Sequence, residues 1–77
     1  MSNFDLWVKN CEKFGLEIWR LEGSGDAKLY VTKEPCMQDG AKYYSDPIYH
    51  VWKNDKWLMA TLNYVEALET WRRCQNG

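Results

Sequence analysis

The stretch Val51–Trp71, VWKNDKWLMATLNYVEALETW, holds two short runs of branched and aromatic residues, a polar break between them, and the start of a helix. Strand-forming runs on either side of Asn54-Asp55 are the pattern of a β-hairpin, here Ile48 to Trp52 and Trp57 to Leu62. With Asn54-Asp55 at the two central turn positions, Lys53 faces Lys56, Trp52 faces Trp57, Val51 faces Leu58 and His50 faces Met59. The directly opposed tryptophans add about 0.5 to 1 kcal/mol over a pair of small residues. Alternation then assigns Ile48, His50, Trp52, Trp57, Met59 and Thr61 to one face, and Tyr49, Val51, Leu58, Ala60 and Leu62 to the other.

The helix that follows is marked at its start. Asn63 is the expected N-cap, Glu66 completes a capping box three residues on, and Leu62 is placed to staple against Ala67. Tyr64, Leu68, Trp71 and Cys74 recur along one helical face, and Arg72 and Arg73 suit the negative end of the helix dipole.

Outward toward the amino terminus, Phe4, Trp7, Val8, Cys11 and Phe14 recur at spacings of three and four, which predicts a helix over 4–14. Ser2 or Asn3 can cap it, and Gly15 can end it in a left-handed conformation. The runs Leu16 to Glu22 and Ala27 to Lys33 flank Gly-Ser-Gly-Asp and predict a second hairpin. Both of its faces carry apolar groups. Glu34 to Pro47, punctuated by Pro35, Asp39-Gly40 and Pro47, reads as a loop with a short strand around Lys42 to Ser45.

These elements predict one α+β domain over residues 1–77, in the order α-β-β-(β)-β-β-α. The sheet is antiparallel, with four to five strands in two hairpins and both terminal helices packed on one face. A chain of 77 residues lies near the lower limit for an unstapled core. Its five Trp, five Tyr and two Phe compensate, since each buried ring removes about 150 to 250 Å² from water.

Ten Lys plus Arg against eleven Asp plus Glu leave a net charge of -1, so neither indiscriminate phosphate binding nor mimicry of DNA is supported. Asp5 falls early, and no long apolar run follows, so neither a signal peptide nor a membrane span is expected and the reading is cytoplasmic. Cys11, Cys36 and Cys74 are odd in number and form no C-x-x-C pair, as reduced thiols would.

The chemistry-bearing residues do not assemble into a known catalytic pattern. The three cysteines with His50 could supply a zinc set, but they lie too far apart for the usual close ligand pair. Cys36 with His50 lacks an orienting carboxylate and an oxyanion pocket. Asp26, Asp39, Asp46 and Asp55 are turn residues, and Gly23-Ser24-Gly25 lacks the lysine and hydroxyl of a phosphate loop. No enzyme, cofactor, metal or small-molecule substrate is inferred.

The sequence therefore points to binding. Trp52, Trp57, His50, Met59 and Ile48 on one sheet face, with Trp19 and Tyr30 from the first hairpin, form an aromatic surface of the kind that anchors protein interfaces. A foreign protein or a second copy of the chain would cover it, unless a helix does so. Adaptors, inhibitors and accessory proteins of phages or mobile elements have this size. The alternative is single-stranded nucleic acid stacked on the same rings, with Lys28, Lys33, Lys42, Lys53 and Lys56 as the nearby cations.

Overall fold

The computed structural model describes residues 2–23 and 25–76. Helix α1 (Asn3–Lys13) is followed by strands β1 (Glu17–Glu22), β2 (Ala27–Lys33), β3 (Pro35–Gln38), β4 (Ala41–Tyr44), β5 (Ile48–Lys53) and β6 (Lys56–Thr61), and then by helix α2 (Tyr64–Asn76). Four strands form an antiparallel sheet in the order β1-β2-β5-β6, while β3 and β4 pair separately. The α+β class and the two long hairpins are those expected. Among the described residues no helix is long and apolar enough to cross a membrane.

The ends of α1 follow from local chemistry. Ser2 Oγ accepts from the Asp5 N–H at 3.1 Å, and Gly15 adopts φ 75°. Gly15 N–H donates to Glu12 O at 3.0 Å and Leu16 N–H to Cys11 O at 2.9 Å, the paired bonds of a Schellman stop. A second cap comes from far along the chain. Asp55, in the β5–β6 turn, accepts from the Asn3 N–H on Oδ2 and from the Phe4 N–H on Oδ1, both at 2.9 Å.

The segment read as a loop contains a complete hairpin. Asp39 and Gly40 both have positive φ, as a two-residue I′ turn requires, and Pro35 to Gln38 pair with Ala41 to Tyr44 across it. Ser45 closes the base, donating its N–H to Glu34 O and accepting the Glu34 N–H on Oγ, each at 2.9 Å. In the Gly-Ser-Gly-Asp turn, Ser24 lies outside the described residues.

The β5–β6 hairpin keeps the expected turn and then departs from the expected register. Asn54 and Asp55 have positive φ, Lys53 pairs with Lys56, and Trp52 pairs with Trp57. Beyond that point Val51 pairs with Met59 and His50 with Ala60. Leu58 is the extra residue of a β-bulge and is 48% exposed. One inserted residue reverses the alternation, so Met59 and Thr61 move to the face of Tyr49 and Val51. The pairings of Val51 with Leu58 and His50 with Met59 are thereby corrected. A similar bulge falls at Leu21 in β1, so both edge strands carry one, which discourages pairing with another chain's edge.

Asn63 caps α2 as expected, accepting the Glu66 N–H at 3.2 Å. The reciprocal half of the capping box is absent, because Asn63 N–H donates to Thr61 Oγ1 at 3.1 Å. Leu62 does not staple. It is 67% exposed, and Ala67 packs instead with Trp71 against Ala27, Leu29 and Val51.

The two helices lie on opposite faces of the sheet, which corrects their placement on one face. Helix α2 covers the side of Leu29 and Val51, with Tyr49, Met59, Leu68 and Cys74 around that core. Helix α1 covers the side of Tyr30, His50 and Trp52. There Phe4 lies 5.4 Å from Trp52 and 5.2 Å from Tyr30, and Trp7 lies 5.3 Å from Trp52, between ring centroids. The reason is compositional: successive residues of β2 and β5 are apolar on both faces, so each face needs its own cover.

Candidate functional site

The residues expected to form one open surface are divided by this arrangement. Trp52 is 4% exposed, His50 is buried, and Tyr30 is half-buried, all beneath α1. Met59 is half-buried on the α2 side. Ile48 and Trp57 are exposed on the α1 side, Trp57 at 54%, and Trp19 is 44% exposed on the α2 side. The face carrying Trp52 is therefore covered by this chain's own first helix.

His50 is a structural residue in this setting. Its Nε2 is hydrogen-bonded to Thr32 Oγ1 at 2.9 Å, and its ring lies 4.9 Å from Trp7 and 6.0 Å from Trp57. Nδ1 is buried with no partner. Burial lowers the imidazole pKa to about 4, so the ring is neutral around pH 7. Cys36 sits apart in the small hairpin, its thiol 3.6 Å from Glu34 O. Among the described residues no three His, Cys, Asp or Glu side chains are grouped to hold a metal ion.

This geometry sets a pH dependence. Below the ordinary imidazole value of 6.5 the unfolded chain takes up a proton that folded His50 refuses until about 4. Stability is therefore complete above about pH 6.5 and falls as pH drops toward 4. The Phe4 and Asn3 N–H groups also hold Asp55 below its ordinary carboxyl value, so its contribution is lost in acid too. Both losses loosen the seat of α1. Urea unfolding at about pH 7 and about pH 4.5 is expected to show a loss on the order of 2 kcal/mol from His50. His50→Gln should flatten that slope between pH 6.5 and 4.5, and an unchanged slope would exclude His50 as its source.

The exposed rings that do converge lie on the α2 side, where α2 leaves one end of the sheet bare. Trp19 pairs across the strands with Val31, which in turn pairs with Tyr49, so the three side chains share a face. Tyr64, the first residue of α2, stands over Tyr49 at 5.2 Å between ring centroids. Leu21, Val31, Lys33, Tyr49 and Tyr64 line a shallow groove of about 280 Å³. Beside the groove the small hairpin brings Tyr44 to 6.5 Å from Trp19 in an edge-on arrangement. Lys33 Nζ lies 5.7 Å from the Trp19 ring centroid and 5.8 Å from that of Tyr44.

A larger hollow of about 470 Å³ opens between α1 and the sheet, lined by Phe4, Val8, Ile18 and Tyr30 with Asp5, Lys9 and Glu12. Its apolar residues are half-buried in the packing of α1. Trp19, Leu21, Tyr44 and Tyr64 around the smaller groove are exposed, and that groove is the candidate site.

None of the expected binding residues lines the groove; Trp19 borders it, its ring 5.7 Å from Lys33 Nζ. Leu21 and Tyr64 line it and escape a sequence reading because a bulge and a helix start place them there, while Tyr44, in the strand expected around Lys42 to Ser45, stands beside it. The shared face of Trp19, Val31 and Tyr49 was the available signal. Compared with known protein families, curated proteins and solved structures, the chain matches none of them.

Proposed function

We propose that this chain is a non-catalytic protein-binding domain, of adaptor or inhibitor type, that receives its partner in the groove between β1 and the first turn of α2. The observation that carries this reading is an apolar groove lined by the exposed Leu21 and Tyr64, with the exposed rings of Trp19 and Tyr44 beside it. Large rings in concave, partly desolvated positions are the usual anchors of protein interfaces. Base stacking on the sheet face that carries Trp52 would need its rings open to solvent. Here Trp52 and Tyr30 lie under α1, and Trp57 points to the opposite side from Trp19. Of the cations, Lys28 sits over Phe4 and Lys53 donates to Cys74 O, away from the groove, while Lys33 and Lys42 stand by Tyr44.

Capture from a lysate of the native host, read by mass spectrometry, tests this. Trp19→Ala with Tyr64→Ala should lose the proteins retained by the wild type by about a hundredfold in affinity, as removal of two interface anchors would. Trp57→Ala should retain them, and far-ultraviolet circular dichroism should show all variants folded. Retention by the folded double variant would exclude the groove. Salt-sensitive quenching of tryptophan fluorescence by an oligonucleotide would favour nucleic acid instead.

A further inference from the structure

The chemistry of the groove narrows the class of partner. The groove is shallow, with a volume of about 280 Å³. It suits one or two side chains of a polypeptide that continues outside. Leu21, Val31, Tyr49 and Tyr64 make the slot apolar, and Lys33 is the one charged residue in its lining.

Lys33 stands opposite Glu17 across the β1–β2 ladder, but among the described residues no carboxylate lies within 4.0 Å of its Nζ. Among the described residues the single ion pair is Lys42 with Glu17, at 4.0 Å, which leaves Lys33 to the faces of Trp19 and Tyr44. Ring faces attract an ammonium but do not neutralise it. Glu17, Lys33 and Lys42 together give this end of the groove a net positive charge. A carboxylate arriving beside the apolar slot meets an unpaired cation, whereas a basic side chain meets repulsion.

Resting on the protein-binding reading, we infer that the groove recognises a peptide segment in which an aliphatic side chain, seated over Val31 between Leu21 and Tyr64, is adjacent to an Asp or Glu side chain that meets Lys33. Lysines alone, Lys33 in the lining and Lys42 by Tyr44, suit a carboxylate; recognition of a phosphorylated residue ordinarily uses a cluster of arginines.

The test uses the full chain labelled with nitrogen-15 and three blocked octapeptides: Gly-Ser-Leu-Glu-Leu-Glu-Ser-Gly, the same sequence with Lys for both Glu, and the same with Ser for both Leu. The first peptide should shift the amide signals of Leu21, Val31, Lys33, Tyr49 and Tyr64. The other two should bind about tenfold more weakly or not at all. Lys33→Met, which retains the aliphatic stem, should abolish the preference for the acidic peptide over the basic one. Lys33→Glu should invert it. Equal binding of acidic and basic peptides by the wild type, no shifts with the acidic one, or an unchanged preference in folded Lys33→Met would overturn the inference. Host proteins that are lost with Trp19→Ala and Tyr64→Ala yet retained by Lys33→Met would leave the protein-binding reading standing and remove only this one.

Discussion

Trp52→Ala is expected to bring the domain to the edge of unfolding at ambient temperature, while Trp57→Ala, in the residue paired with it, leaves the fold almost unchanged. Trp52 is 4% exposed and lies against Phe4 and Trp7, so truncation empties the centre of the α1 layer. Removing a buried tryptophan costs about 3 to 5 kcal/mol. A chain of 77 residues has a total stability of about 4 to 11 kcal/mol by the usual per-residue values. Trp57 is 54% exposed, and its loss should stay within about 1 kcal/mol. Urea unfolding followed by circular dichroism separates the two. A Trp52→Ala variant within about 1 kcal/mol of the wild type would show that α1 does not seal that face.

Gly23→Ala is the second severe substitution, at a position no core inventory would include. Gly23 has φ 84°, where an alanine costs about 1 to 2 kcal/mol. A Cβ there would also overlap the Ala27 carbonyl and lie 2.9 Å from Trp71 Nε1. That indole donates to the same carbonyl at 3.0 Å, so the added methyl drives apart the bond that ties α2 to β2. Losing a buried hydrogen bond adds about 1 to 3 kcal/mol, for a total of about 3 kcal/mol or more. Gly15 is the internal control, with φ 75° and nothing within 4 Å of the built Cβ. Gly15→Ala should carry the conformational cost alone. Comparable destabilisation of the two variants in urea would refute the packing argument at Gly23.

These positions also mark how far the sequence could be read. The Gly15 stop, the Asn63 cap and the two long hairpins rest on neighbours within four residues or so, and local chemistry decides them. The Leu58 bulge does not. Leu58 and Met59 are both apolar, so a period of two fits either register, and only the need to seat Met59 in the α2 core selects one. The placement of the helices failed for a related reason. Apolar residues on both sides of β5 require two covers, but periodicity does not say which helix supplies which. The small hairpin is half visible, since the Asp39-Gly40 turn and a short strand around Lys42 to Ser45 are legible, whereas the partner strand Pro35–Gln38, which opens on a proline, is not. For the groove, Trp19 was found as an exposed ring on a strand. Tyr64 was assigned to the helix's apolar stripe, and its actual position over Tyr49 depends on the docking angle of α2.

The bond from Asp55 to the first two N–H groups of α1 has a consequence for synthesis. An isolated helix of eleven residues is too short to persist in water. Its second cap, Asp55, and the Trp52 against which it packs both lie in the β5–β6 hairpin, after four further strands have been made. The amino-terminal half of the chain thus has no autonomous fold to settle into. Its first helix is completed only once the β5–β6 turn that carries Asp55 has been made.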